Sequence, residues 1–213
     1  MHCWRFLQPP LVDWLTKVFF LVLGFALAQR ARRPNIRFGI QGGTGFMHNG
    51  REFRYTVAHF RNAPSFLFFP VNRDTANLSG TEIRELWNWN SIGPGALWEN
   101  PNDNDRLVYT VSVPAADEAT LVLFGRWMDT TEFFVFCGGE VKDAAPTAEY
   151  MKTVNKFGNK RKRFLLVIYD KFGRSYPFIC RVENPAGWIM VYFIKSRFLN
   201  RLAYMLMRWM REE

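Results

Sequence analysis

Few residues in this 213-residue sequence are equipped for covalent chemistry. The nucleophile candidates are Cys3, Cys137 and Cys180, and the near-neutral bases are His2, His48 and His59. A thiol beside an imidazole can be held as thiolate, so His59 with Cys137 would be the pairing to examine. Nothing local brings them together, and His59 lies in a strand-like run, where a histidine with one satisfied hydrogen bond is the simpler reading. Three cysteines with no CxxC spacing argue against a disulfide scaffold or a zinc site. Cys137 and Cys180 would pair in an oxidising compartment, but two reduced thiols buried in strands are favoured. The run from Glu99 to Asp105 carries oxygen ligands for calcium, yet it lacks the glycine and terminal glutamate of an EF-hand and reads as a surface loop. Gly42-Gly43-Thr44-Gly45 invites a phosphate-loop reading, but no GK[ST] ending or helix follows, so a hairpin tip is expected. Asn77-Leu78-Ser79 matches a glycosylation acceptor, which a cytoplasmic domain would not use. No catalytic residue, metal ligand or cofactor is therefore assigned, and a binding role is expected.

The groups arranged for recognition are cations. Lys160, Arg161, Lys162 and Arg163 are consecutive, after a Gly158-Asn159 turn. Such a loop neutralises phosphate without reading sequence, and a solvated or lipid-attracted loop is preferred over a nucleic-acid site. At the C-terminus Arg197, Arg201, Arg208 and Arg211 recur at helical spacing with Tyr204 on the same face. Phe198, Leu202, Met205, Leu206 and Trp209 fall on another. A basic amphipathic helix of this kind suits an anionic membrane surface, a partner groove or docking on its own domain.

Charge is unevenly spread. Residues 1–37 carry six basic and one acidic side chain, residues 38–149 eight and fourteen, and residues 150–213 fourteen and four. Two cationic ends around an anionic middle point to a surface that meets phosphate, in lipid or nucleic acid.

What must position these groups begins with Lys17-VFFLVLGFALAQRAR-Arg33. A signal peptide would explain Ala26-Leu27-Ala28, but Pro9, Pro10 and Asp13 precede the apolar run and three arginines follow it. A buried helix would need a core around every face. A membrane anchor over Leu11–Ala28 fits best, with Asp13 and Lys17 pairing at i,i+4 and Trp14 at the interface. Arg30, Arg32 and Arg33 then hold the bulk of the chain on the cytoplasmic side. Pro34 ends the helix.

Beyond Pro34 the period turns strand-like. Strands are expected at 36–40, 53–60, 66–71, 107–113, 120–127, 132–137, 164–169, 176–182 and 188–194. The runs 164–169 and 188–194 are apolar on both faces and should be central or covered. Asp170-Lys-Phe-Gly173 reads as a hairpin turn. Short helices are expected at 81–89 and 147–157, and a loop over 90–105. Eight or nine strands without βαβ alternation imply a mainly β protein, an antiparallel β-sandwich. Its expected parts are an N-terminal segment and transmembrane helix (1–33), the sandwich (34–194) and the basic amphipathic helix (195–213).

Three stretches, Arg33-Pro-Asn-Ile-Arg-Phe38, Phe53-RYTVAHFRN-Ala63 and Val167-IYDKFGRS-Tyr176, resemble those of bacterial membrane-anchored proteins with a cytoplasmic immunoglobulin-like β-sandwich. The resemblance implies architecture and carries no catalytic residues. The function expected is that of a membrane-anchored, non-enzymatic binding, scaffold or sensor/effector protein in a larger membrane assembly. The aromatic content of 17% points to self-association or a protein partner. The alternative is a soluble oligomer that binds nucleic acid or nucleotide through its basic C-terminal region.

Overall fold

A computed structural model describes residues 8–48, 50–64, 73–86, 91–94, 97–130, 133–135, 156–157, 161–183 and 189–211. The apolar run and the sequence after it form α1 (Gln8–Arg32). Pro9 and Pro10 fit its first turn, where their missing N–H groups are not needed. It stops two residues before Pro34, whose ring disfavours a helical Arg33.

Thirteen strands, all paired antiparallel, follow among the described residues. The first sheet runs β1 (Ile36–His48), β2 (Arg51–Asn62), β8 (Glu118–Trp127), β5 (Leu97–Asn100), β6 (Asp103–Val108). The short strands β9 (Phe133–Val135) and β10 (Lys156–Phe157) extend it from β8. The second sheet runs β13 (Met190–Phe193), β12 (Ser175–Glu183), β11 (Lys162–Asp170), β3 (Ala76–Glu85), β4 (Ser91–Pro94), with β7 (Val111–Val113) against β3. α2 (Arg197–Trp209) closes the chain.

The sheets meet face to face through aromatic rings. Phe60 on β2 lies 5.0 Å from Phe178 on β12, and Phe124 on β8 lies 5.4 Å from Phe164 on β11. Leu121, Leu123, Leu166 and Ile168 fill the same seam. β11 is covered on both faces, as its unbroken apolar run requires. Phe164, Leu166 and Ile168 point into the sandwich, while Leu165 and Val167 lie under α2. β13, expected to be covered in the same way, is instead an edge strand: Val191 is buried, and Met190 and Tyr192 are exposed.

Four local expectations are corrected. Residues 81–85 are not helical: they finish β3, where Leu78, Thr81 and Ile83 turn inward between two partner strands. Sheet pairing on both sides overrides the modest helical propensity there. The glycine run is no hairpin tip, because residues 42–45 pair along β2 and the pairing continues as far as His48 opposite Arg51. A Cβ on Gly45 would lie 2.8 Å from the Phe53 carbonyl oxygen, so close strand approach explains that glycine. The expected loop 90–105 contains β4, β5 and the start of β6, with Leu97 and Trp98 fully buried. The single strand 107–113 is broken at Tyr109-Thr110, and its halves join different sheets. The expected strand 66–71 lies outside the described residues, as do positions 147–155 of the second short helix, whose last two residues form β10 instead.

Candidate membrane-facing site

α1 stands clear of the domain. The apolar window within Val12–Arg32 is 0% buried, and only Ala31 at its end is packed. Twenty-one residues rise about 31 Å, the thickness of a bilayer's hydrocarbon core. Lys17 Nζ donates to Asp13 Oδ2 at 2.6 Å, which neutralises the pair near one end. Trp14 is exposed beside it.

The junction with the sandwich is hydrogen-bonded and has no slack linker. Asp74 N–H donates to the Arg32 carbonyl at 2.7 Å, satisfying one of the open acceptors at the helix end. Asn62, fully buried, accepts from the Asn35 N–H through Oδ1 (3.0 Å). Its Nδ2 donates to the carbonyls of Asp74 (2.9 Å) and Val113 (3.2 Å). One side chain thus ties the linker, the approach to β3 and the end of β7 together. The β11–β12 hairpin reaches the same pole, where Lys171 N–H donates to the Asn77 carbonyl. At its tip Phe172 is exposed, with Lys171 Nζ 5.1 Å and the Arg174 guanidinium 5.6 Å from its ring. Asp170 Oδ1 accepts from the N–H groups of Phe172 and Arg174, both at 2.9 Å, and Gly173 takes φ +75.

α2 is capped by Ser196, whose Oγ accepts from Leu199 N–H at 3.4 Å. Ala203 and Met207 pack on Leu165, Val167 and Ile179. Asn200, also buried, accepts from Ile179 N–H and donates to the Ile194 carbonyl, both at 3.0 Å. The face predicted from sequence to be apolar is therefore not the one that docks. Phe198 (73%), Met205 (58%) and Trp209 (61%) are exposed, together with Leu199, Leu202 and Leu206. At 100° per residue these six span an arc of about 120° turned away from the sheet. The arginines lie between this arc and the docked one. Arg197 donates to Asn35 Oδ1, so α2 begins where the chain leaves α1.

Beside that contact is a cleft of about 580 Å³, walled by residues 34–39 of the linker and β1, by the start of β12 and by the first turn of α2. Arg37, Lys195, Arg197 and Arg201 line it, with Tyr176, Phe178 and Phe193 supplying apolar surface. Among the described residues that line it there is no carboxylate. Burial, and then the nearby charges of Arg37, Arg201 and Arg73, pull the Arg197 pKa down. Arg73 is lowered too, by burial and then by Arg37. Lys195 opens the expected basic segment 195–213, but Arg37 and Arg73 carried no functional expectation from the sequence, since isolated basic residues in two separate segments give no local signal.

Of the cations expected to act, Arg197 and Arg201 join this cleft, Arg208 lies in the last turn of α2, and Arg211 lies just past its C-terminal cap. The basic run goes elsewhere. Lys160 lies outside the described residues, and β11 carries its neighbours to the opposite pole, about 26 Å from Asp170 at strand rise. There Arg161 pairs with Glu183 at 2.8 Å and Lys162 with Glu85, next to Arg163.

His59 Nδ1 lies 3.1 Å from Thr120 Oγ1, the bonded strand histidine expected. Cys180 is a free, buried thiol whose pKa burial pushes up to about 12, while Cys137 lies outside the described residues. Comparison with protein-family models, curated proteins and solved structures finds no match to this chain, so its architecture rests on its own residues and geometry.

Proposed function

We propose that this chain is a membrane-anchored binding or scaffold protein, its sandwich held against the bilayer that α1 crosses. The single observation that carries the reading is the outward face of α2, an apolar arc left open beside the membrane exit. Large side chains gain about 1.5–3 kcal/mol each when fully buried, so leaving six in water is costly. The bilayer is the nearest apolar phase, since Arg197 bonds to a residue three beyond the end of α1. Flanking arginines would meet anionic headgroups while Phe198, Leu202, Met205 and Trp209 reach the acyl boundary. Phe172, between two cations, adds a second apolar point at the same pole. Arg30, Arg32 and Arg33 favour a cytoplasmic domain.

The test uses the full chain in vesicles, with the native cysteines replaced and a single environment-sensitive probe at position 202, 205 or 209. Lipid-borne quenchers should reach these probes, and a water-borne quencher should reach a probe at position 50 instead. If the α2 probes remain open to the water-borne quencher and are covered only when a second protein is added, the face belongs to a partner. Lipid contact is then excluded.

A further inference from the structure

We propose that the cleft lined by Arg37, Lys195, Arg197 and Arg201 is a binding site for a phosphomonoester group. Four cations from two segments, residues 34–39 and 193–201, converge on it with no carboxylate among the described lining residues. Like charges repel at such spacing, and a fold that holds them together with no lining counter-charge is complete when an anion enters. Arg73, outside the lining but near enough for its charge to act on Arg197, donates to the Arg33 carbonyl, and its Nε is buried with no partner among the described residues. Asp170, which Tyr176 Oη approaches at 3.3 Å, does not supply the missing anion. It already accepts from two hairpin amides.

Geometry narrows the class of ligand. Guanidinium groups favour planar, paired contacts to phosphate oxygens, and α2 offers the positive end of its dipole with no acidic residue in its first turn. A volume of about 580 Å³ is far larger than one phosphate needs, so the ligand carries an attached group. Tyr176, Phe178 and Phe193 on the wall suit an apolar or glycerol-like portion. The chemistry common to a lipid headgroup and a small phosphate ester is the terminal dianion. The position at the foot of α1 favours the lipid, and this choice of source alone rests on the membrane reading above.

The experiment titrates the detergent-solubilised full chain with dioctanoyl phosphatidic acid, dioctanoyl phosphatidylcholine and glycerol 3-phosphate, following tryptophan fluorescence and thermal unfolding. Phosphatidic acid should bind and raise the unfolding temperature, with affinity that falls as salt rises. Phosphatidylcholine should not bind. Loss of two charge-assisted contacts in Arg37→Gln/Arg197→Gln should weaken binding by at least about tenfold. Arg51→Gln/Arg161→Gln, which removes the same charge at the far pole, should leave it unchanged. The single variant Arg201→Gln, on an exposed helical position, should weaken binding several-fold and decides the matter if the double variant does not fold. Equal affinity for glycerol 3-phosphate would support the site with a soluble ester as its source. Binding that is absent, or that falls equally in the far-pole variant, would overturn the proposal. Since no bilayer is present in any arm, either result is independent of whether α2 touches one.

Discussion

At the scale of single residues, three side chains hold more than their neighbours. Asn62 satisfies groups on three segments from a fully buried position. Asn62→Ala would strand those groups at about 1–3 kcal/mol each, so thermal unfolding of the solubilised chain should fall by several degrees. Glu99 has the opposite character. Burial raises its pKa, and His59 and a hydrogen bond from Thr120 offset this only in part. A carboxyl with a raised folded-state pKa favours folding while protonated and loses that contribution as pH climbs from its unfolded to its folded value. Glu99→Gln should therefore stabilise the domain at neutral pH, with the gain shrinking as pH falls through the raised folded-state pKa and gone below the ordinary glutamate value. A pH series of melting curves checks both the sign and the window. Cys180, held as a thiol by burial, should resist a maleimide until the chain unfolds, when Cys3 and Cys137 have been replaced. Labelling of the folded protein at the rate of a free thiol would contradict the packing described for β12.

Among elements, α2 is the one whose two faces have separate duties. Met207 and Ala203 fix it to the sheet, and Asn200 anchors its first turn to β12 and the residue after β13. Met207→Ala should cost about 2–3 kcal/mol of docking, seen as faster amide exchange over 197–209 with β11 still protected. Exchange that stayed unchanged would mean the helix is held by its outward face instead. The outward face obeys a different rule. Phe198, Leu202, Met205 and Trp209 contribute nothing to the fold seen here, so changing Leu202 and Trp209 to Ser should leave unfolding within about 0.5 kcal/mol while weakening membrane contact. β12 falls within one residue of its expected limits because pleat and burial share one period, and β11 within two because charged residues at 161–163 and 170–171 bound its apolar run. Residues 81–85 were misread, since a strand between two partners keeps its place by pairing rather than by its own propensity.

For the molecule as a whole, polarity along the strands organises what the chain can do. One pole carries the end of α1, the β11–β12 hairpin, the start of α2 and the cationic cleft. The other carries Arg51 paired with Asp129 and Arg161 with Glu183, charges matched within the domain. Positive charge with no carboxylate among the described lining residues thus gathers where α1 leaves the domain, as attraction to an anionic leaflet would reward. The full chain should pellet with membranes, withstand carbonate and need detergent for release. Recovery in the carbonate supernatant would remove the anchor and favour the soluble, nucleic-acid-binding alternative. With the anchor in place, a cysteine introduced at Asn102, an exposed position, should be silent to an impermeant reagent outside intact cells. Efficient labelling would place the sandwich on the opposite side.

The sequence by itself determined what depends on composition and period. A long apolar helix ending before Pro34, an Asp13–Lys17 pair, a mainly antiparallel β domain and a basic amphipathic C-terminal helix all follow from local spacing, which short-range sterics and hydrophobicity enforce. Only the tertiary structure decided which face of α2 docks. Hydrophobicity alone would have buried Phe198 and Trp209, yet the smaller Ala203, the flexible Met207 and the hydrogen-bonding Asn200 fit the β11–β12 surface. The cleft was decided at that level too, since Arg37, Arg73 and Arg197 are far apart in sequence and meet only when β1 and α2 close on one pole. The basic run at 160–163 shows the converse. Its charges are conspicuous in the sequence, but strand register carries Arg161 and Lys162 to glutamates at the far pole, and local composition cannot encode that pairing.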